Sequence, residues 1–199
     1  MRRFVIIGQK ATTSPDFLLE DLAGTSGRLD VLVRALRAAM LVSHGVRRDT
    51  VAYLVLLGGP RPPKTIRFDG ATVRFLRPEE RNVATLIKKV LARTYEGGPF
   101  ARVRDGIAVA DGGLETVVAD LAPGTPYVLE EGAPDVRGVE LDLENAIFFA
   151  GDHLGFNAET RAAIASLGAV PISIGPVSLH AEDAITIVSN ETDRRAALV

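Results

Sequence analysis

Six short runs constrain most of what this chain can fold into. Phe4–Ile7, Val51–Leu57, Gly106–Ala110, Tyr127–Leu129, Ala146–Ala150 and Val170–Ile174 are, for the most part, apolar from end to end. A half-buried strand alternates; a strand buried on both faces does not. Between the runs the spacing turns helical. From Leu29 the apolar residues Leu32, Val33, Leu36 and Met40 predict a helix that stops near His44–Gly45, with Gly in the C′ role. Pro78–Glu79–Glu80 opens another helix, whose apolar face is Leu86, Ile87, Val90 and Leu91. Further helices are expected over Leu114–Leu121 and from an Asn157 cap to Leu167. A last helix is expected behind a Ser178 cap, with His180, Glu182 and Asp183 in or near its first turn. Thr65–Phe68 and Thr72–Leu76 flank Asp69–Gly70, a strong hairpin signal. Residues 9–28 read as a long loop. Strands alternating with helices imply an α/β fold, a mostly parallel sheet with helices on both faces. No composition break divides the chain, so residues 1–199 read as one domain.

Composition removes several function classes. The chain has no cysteine, which excludes disulfides, Cys-ligated zinc, iron–sulfur clusters and thiol nucleophiles. The apolar stretch behind Arg2–Arg3 is too short for a signal-peptide core, and no window approaches the ~20 apolar residues of a membrane helix. A cytoplasmic protein without a membrane partner is expected. The net charge of −2 conceals a lopsided split. Residues 1–104 carry 19 basic and 9 acidic side chains, whereas residues 105–199 carry 4 and 16. Such a split suggests that the first part meets a polyanion and the second does not.

In an open α/β sheet, ligands sit beyond the C-terminal ends of the strands. Three glycine turns occupy such ends: Gly58–Gly59, Gly151 and Gly175. Gly151-Asp152-His153-Leu154-Gly155-Phe156 lacks dinucleotide-binding spacing. It reads either as a tight turn that needs glycine sterically or as a ligand loop. Gly59–Thr65 has three prolines and no glycine before Lys64, so it is not a triphosphate loop. His44, placed at a helix C-terminus, His153 and His180 share no metal-ligand spacing, and no metal is expected. Basic residues cluster at Arg47–Arg48, at Arg61, Lys64 and Arg67, and at Arg74, Arg77 and Arg81, then at Lys88, Lys89 and Arg93. With 8 Phe, 3 Tyr and no Trp, an extended stacking platform is not expected. A folded RNA held by its phosphates, with one base in a pocket, needs fewer aromatics.

Taken in order, five segments resemble one family. They are Gly27-Arg28-Leu29-Asp30-Val31-Leu32, Ser43-His44-Gly45-Val46-Arg47-Arg48-Asp49, Pro78-Glu79-Glu80-Arg81-Asn82, Gly151–Phe156 and Gly175-Pro176-Val177-Ser178-Leu179-His180-Ala181. The chain is similar to the TrmY family of the SPOUT superfamily, the tRNA pseudouridine-54 N1-methyltransferases, from Arg3 to about Arg194. The resemblance implies a SPOUT fold with a C-terminal trefoil knot, S-adenosylmethionine (SAM) as methyl donor, tRNA rather than DNA as partner, and a homodimer. It also implies that backbone groups at Leu129, Gly151, Ile174, Gly175, Pro176, Val177, Ser178, Leu179 and Ala184 hold SAM. Relatives commonly carry Cys where this chain has Ala184, and main-chain packing there tolerates alanine.

The chemistry adds expectations of its own. Pseudouridine keeps a free N1–H, so attack on a sulfonium methyl requires that proton to leave. Asp30 or Asp49 is the candidate base, with Arg28, Arg47 or Arg48 stabilising the developing anion. The alternative is that Asp30 caps the helix and Asp49 pairs with an arginine. Arg47, Arg48, Arg77, Arg81, Lys88 and Lys89 are the expected RNA contacts. Competing functions are an rRNA pseudouridine N1-methyltransferase and a non-catalytic SPOUT-like RNA-binding protein.

Overall fold

The computed structural model describes residues 1–61, 63–94 and 99–197. In chain order the elements are β1 (Arg2–Thr12), α1 (Leu22–Thr25), α2 (Leu29–Met40), β2 (Leu41–Val42), β3 (Gly45–Val46), β4 (Thr50–Gly58) and β5 (Lys64–Asp69). They continue with α3 (Glu80–Leu91), β6 (Ala101–Arg104), β7 (Ile107–Asp111), α4 (Leu114–Asp120), β8 (Pro126–Leu129), β9 (Ile147–Gly151), α5 (Ala158–Ser166), β10 (Val170–Ile172) and α6 (Ala181–Ala196). Eight strands form one sheet in the order β10-β8-β9-β1-β4-β5-β7-β6. The first five in that order run parallel, and β5, β7 and β6 form an antiparallel edge.

The uniformly apolar runs are explained by cover on both faces. Phe4, Ile6, Leu54 and Phe148 point to the side packed by α2, α3 and α6, and Phe4 and Tyr127 both stack on Phe148 at 5.4 Å. Val5, Ile7, Val55 and Phe149 point to the side packed by α4 and α5. Burying each such phenylalanine contributes about 1.5–3 kcal/mol. Among the described residues no helix is long and apolar enough to cross a membrane.

Four local expectations change. The helix from Leu29 ends at Met40, not near His44, because Leu41–Val46 turns back as a small hairpin and the Arg47 amide donates to the Met40 carbonyl (2.7 Å). His44 therefore lies at an exposed hairpin tip, not at a helix end. The hairpin around Asp69–Gly70 does not form. The Asp69 carboxylate accepts from the Ala71 amide and the Thr72 hydroxyl, Val73 drops into the core, and β7 takes the edge of β5. Residues 9–28 are not all loop: β1 continues to Thr12, and α1 occupies Leu22–Thr25. The last helix starts behind His180, whose side chain makes no cap bond, rather than behind Ser178, whose hydroxyl donates to Glu131 instead. Asn157 caps α5 as expected, accepting from the Thr160 amide.

Ion pairs close the sheet at the N-terminal end of β1. The Asp193 carboxylate on α6 accepts from Arg47 (3.0 and 2.7 Å) and from the buried Arg2 (2.7 Å). Burial pushes this carboxyl up, but the hydrogen bonds from Arg47 and Arg2 outweigh it and hold it below the ordinary range. A carboxylate depressed in the folded state stabilises the protein above its unfolded pKa, about 3.9, and loses that contribution as pH falls through the folded value. Melting temperature is therefore expected to stay level from neutral pH down to about 5 and to fall steeply below about 4. Asp193→Asn should flatten part of that acid limb, which scanning calorimetry across pH checks.

Candidate functional site

The parallel half of the sheet ends in a cleft of about 800 Å³. Three segments wall it: the one after β8, the turn after β9 and the segment from β10 into α6. Its apolar lining includes Leu129, Ala150, Ile172 and Ala184. From β1 the chain passes to β4 on one side and later returns to β9 on the other, so the crevice lies where open α/β sheets form ligand sites.

The two readings of the glycine turns divide between different glycines. A Cβ on Gly151 would meet the Gly155 backbone at 2.9 Å, so the turn itself requires glycine there. Gly155 and Gly175 have φ of +67° and +139°, and a Cβ on either would meet nothing of the chain within 4 Å. Both line the cleft and offer bare backbone to a ligand. Asp152 fastens the turn. Its carboxylate accepts from the Gln9 amide of β1 (2.8 Å) and the Leu154 amide (2.9 Å).

The start of α2 supplies the opposite lip, with Arg28 and Arg34 on the cleft. Asp30 stands behind them, 5% exposed, and accepts from Arg28 Nε and Nη2 (3.0 and 3.1 Å) and from Arg34 Nη1 (3.0 Å). Burial pushes the Asp30 carboxyl up, but the bonds from the two guanidiniums outweigh it and hold it low. Arg34 Nε also donates to Glu182 of α6 (2.8 Å), tying the two lips together. The second oxygen of Glu182 is buried and has no partner among the described residues. Glu130, Glu131, Asp152, Glu182 and Asp183 outnumber Arg28, Arg34 and Arg161 around the cleft, which suits a cationic ligand.

Of the residues singled out in the sequence, Leu129, Gly151, Ile174, Gly175, Val177, Ser178, Leu179 and Ala184 line this cleft, and Pro176 lies in the same loop. Arg28 lines it, and Asp30 sits one layer behind. Asp30 is not a helix cap but part of an arginine cluster. Arg47, Arg48 and Asp49 are not brought to the cleft, because they precede β4 at the opposite end of the sheet. There Arg47 binds Asp193, Arg48 donates to the Gly70 and Val73 carbonyls, and Asp49 pairs with Arg2. Arg77, Arg81 and Lys89 are exposed around α3, where Arg81 pairs with Glu20. Lys88 is partly buried, donating to the Phe17 carbonyl over the Phe17 ring. Sequence reasoning gave no role to Arg34, Asp152 or Glu182. The i,i+4 spacing of Asp30 and Arg34 was the one local signal available.

Residues 1–197 match the family model described as "Putative SAM-dependent RNA methyltransferase". The chain is 42% identical over 197 residues to the tRNA (pseudouridine(54)-N(1))-methyltransferase of Methanosarcina acetivorans, covering 99% of this chain and 93% of that one. It belongs to this RNA methyltransferase family. Among further members, the enzyme of the same name from Methanocaldococcus jannaschii is 39% identical, with 98% of each chain covered. The Halobacterium salinarum enzyme is also 39% identical, over 97% of this chain and 96% of its own. The family fold extends further. The crystal structure of Archaeoglobus fulgidus Nep1 bound to S-adenosylhomocysteine superposes with a TM-score of 0.69 at 18% identity, covering 98% of this chain and 99% of that one.

Proposed function

We propose that this chain transfers a methyl group from SAM to N1 of pseudouridine 54 in tRNA. The observation that carries the reading is the end-to-end identity of about 40% with enzymes of that name. The cleft fits the methyl donor. Gly155 and Gly175 admit close backbone approach, Leu129, Ile172 and Ala184 offer an apolar seat for adenine, and the excess of carboxylates around the cleft suits a cationic sulfonium donor. The main chain at Gly151, Ile174 and Pro176–Leu179 completes the wall. Bound SAM supplies an electrophilic methyl on a sulfonium.

Arg28 and Arg34 stabilise negative charge as it develops on the pseudouracil ring. Asp30 is ionised and occupied by both guanidiniums, so it positions them rather than accepting the N1 proton, which leaves to water in the open cleft. Val177 and Leu179 on the cleft wall and Leu154 beside it are exposed apolar residues that a second copy would cover, which supports a homodimer. A knotted trace, which the SPOUT resemblance implies, is compatible with the bonds between residues 134–136 and Ser173 and with Arg195 of α6 holding the Val136 and Val139 carbonyls. A tRNA substrate fits a cytoplasmic location.

The test is transfer from labelled SAM to T-arm RNAs with pseudouridine or uridine at the target position. Uridine carries its sugar on N1, so label is expected only in the pseudouridine arm. RNA affinity should fall by orders of magnitude between low and physiological salt while SAM affinity barely moves. Equal labelling of the uridine arm, or preference for a pseudouridine-containing rRNA loop, would overturn the assignment.

A further inference from the structure

Phe75 stands between β5 and α3 and is 79% exposed, an outlier among the described aromatic residues. Its φ is +59°, the left-handed region, where glycine or asparagine sits at little cost and a bulky side chain does not. The turn is clamped from both sides. Val73 and Leu76 are buried, Arg48 donates to the Val73 carbonyl (3.3 Å), and Arg104 donates to the Arg74 carbonyl (3.2 Å). The fold therefore holds backbone strain to present an apolar ring to water, which is the pattern of a functional contact rather than of a plain turn.

The surroundings are cationic. Arg77, Lys89 and Arg104 line a hollow of about 180 Å³ that Phe75 borders. Arg74 and Arg104 continue into a second hollow with Arg48, Arg67 and Arg102, where the arginines outnumber Asp69 and Asp105; Asp105 pairs with Arg74 and Arg102, and Arg67 is taken by Asp120. A second copy of the chain docking here would set like charges against each other, whereas an RNA strand would neutralise them.

We propose that Phe75 is a base-stacking platform, on which an unpaired base of the RNA substrate lies while the neighbouring arginines and Lys89 hold the flanking phosphates. The proposal rests on the RNA methyltransferase reading and adds a contact at the end of the sheet away from the SAM cleft.

The chain has no tryptophan, so Phe75→Trp provides a single fluorescent reporter. Its emission should be quenched when a pseudouridine-containing T-arm RNA binds, and not when inorganic polyphosphate, which has no bases, is added. Phe75→Ala should weaken RNA binding about 5- to 100-fold, with SAM affinity and the salt slope unchanged. Phe75→Gly should bind RNA as weakly yet melt at or above the wild-type temperature, since it releases the strain. Wild-type RNA affinity in Phe75→Ala, or unquenched tryptophan in a saturated complex, overturns the proposal. So does a change of oligomeric state on Phe75→Ala in sedimentation velocity, which would assign the ring to a protein contact. Failure of the wild-type protein to bind any pseudouridine RNA would instead remove the RNA reading itself, and the stacking site with it.

Discussion

Asp30→Asn is expected to slow methyl transfer by about two to three orders of magnitude, the scale of losing one aligned electrostatic contact in a transition state. The carboxylate holds Arg28 through both its oxygens and Arg34 through one. Asparagine offers one acceptor and no charge, so two guanidiniums lose the anion that aligns them and are left repelling each other. Arg34 retains Glu182, whereas Arg28 has no second carboxylate partner among the described residues, so Arg28 should move more. SAM affinity should change little, because the Asp30 side chain stays behind the cleft wall. The stability cost should be about 1–3 kcal/mol, since both arginines are partly solvated. A positioning role and a general-base role predict different pH behaviour. With Asp30 as a positioner, the single-turnover rate of the variant follows the wild-type pH profile at a lower level. With Asp30 as the base, the acid limb of the profile disappears, and that outcome would reverse the assignment.

The strands and the ligand end of the sheet were legible because both rest on local physics. An apolar run covered on both faces has to be buried, and glycine turns at strand ends are readable one at a time. Strand neighbours were not legible in the same way. Asp69–Gly70 carries a true turn signal, yet its second arm, Thr72–Leu76, lost the edge of β5 to β7, whose partner residues lie some forty positions away. The helix from Leu29 stopped early for a similar reason: its last carbonyl is satisfied by Arg47, beyond a hairpin that no helical periodicity reveals.

The charge split reads differently once the chain is folded. Much of it is spent within the molecule, basic half against acidic half. Arg34 pairs with Glu182, Arg2 and Arg47 with Asp193, Lys64 with Asp111, and Arg67 with Asp120. Arg47 is thus largely committed to holding α6 onto the sheet. The cations left for a polyanion concentrate on the lip around Phe75 and on the solvent side of α3, so the expected electropositive face is narrower than residues 1–104 as a whole.

Gly27→Ala is expected to damage both fold and site. Gly27 has φ of +64°, and a Cβ there would lie 1.8 Å from the Lys10 carbonyl oxygen. The left-handed conformation alone costs a non-glycine residue about 1–2 kcal/mol. The obstructing atom is backbone in β1, so no side chain can swing aside. The loop and strand are also stitched together by the Thr12 amide donating to the Ser26 carbonyl (2.9 Å), which leaves little slack for both to move. A combined loss of roughly 3–5 kcal/mol is expected, which in a chain of this size lowers the melting temperature by about 10 °C. The next residue, Arg28, is itself left-handed at φ +67°, so any relaxation at Gly27 redirects the guanidinium on the cleft lip. Protein that still folds should therefore bind SAM yet transfer methyl slowly. Gly45→Ala is the control, because a Cβ there meets nothing within 4 Å and the backbone is not left-handed. It should melt and react like wild type. Calorimetry and single-turnover assays of the two variants decide the point, and a Gly27→Ala protein indistinguishable from Gly45→Ala would show that the loop tolerates displacement from β1 and that Arg28 is placed by Asp30 alone.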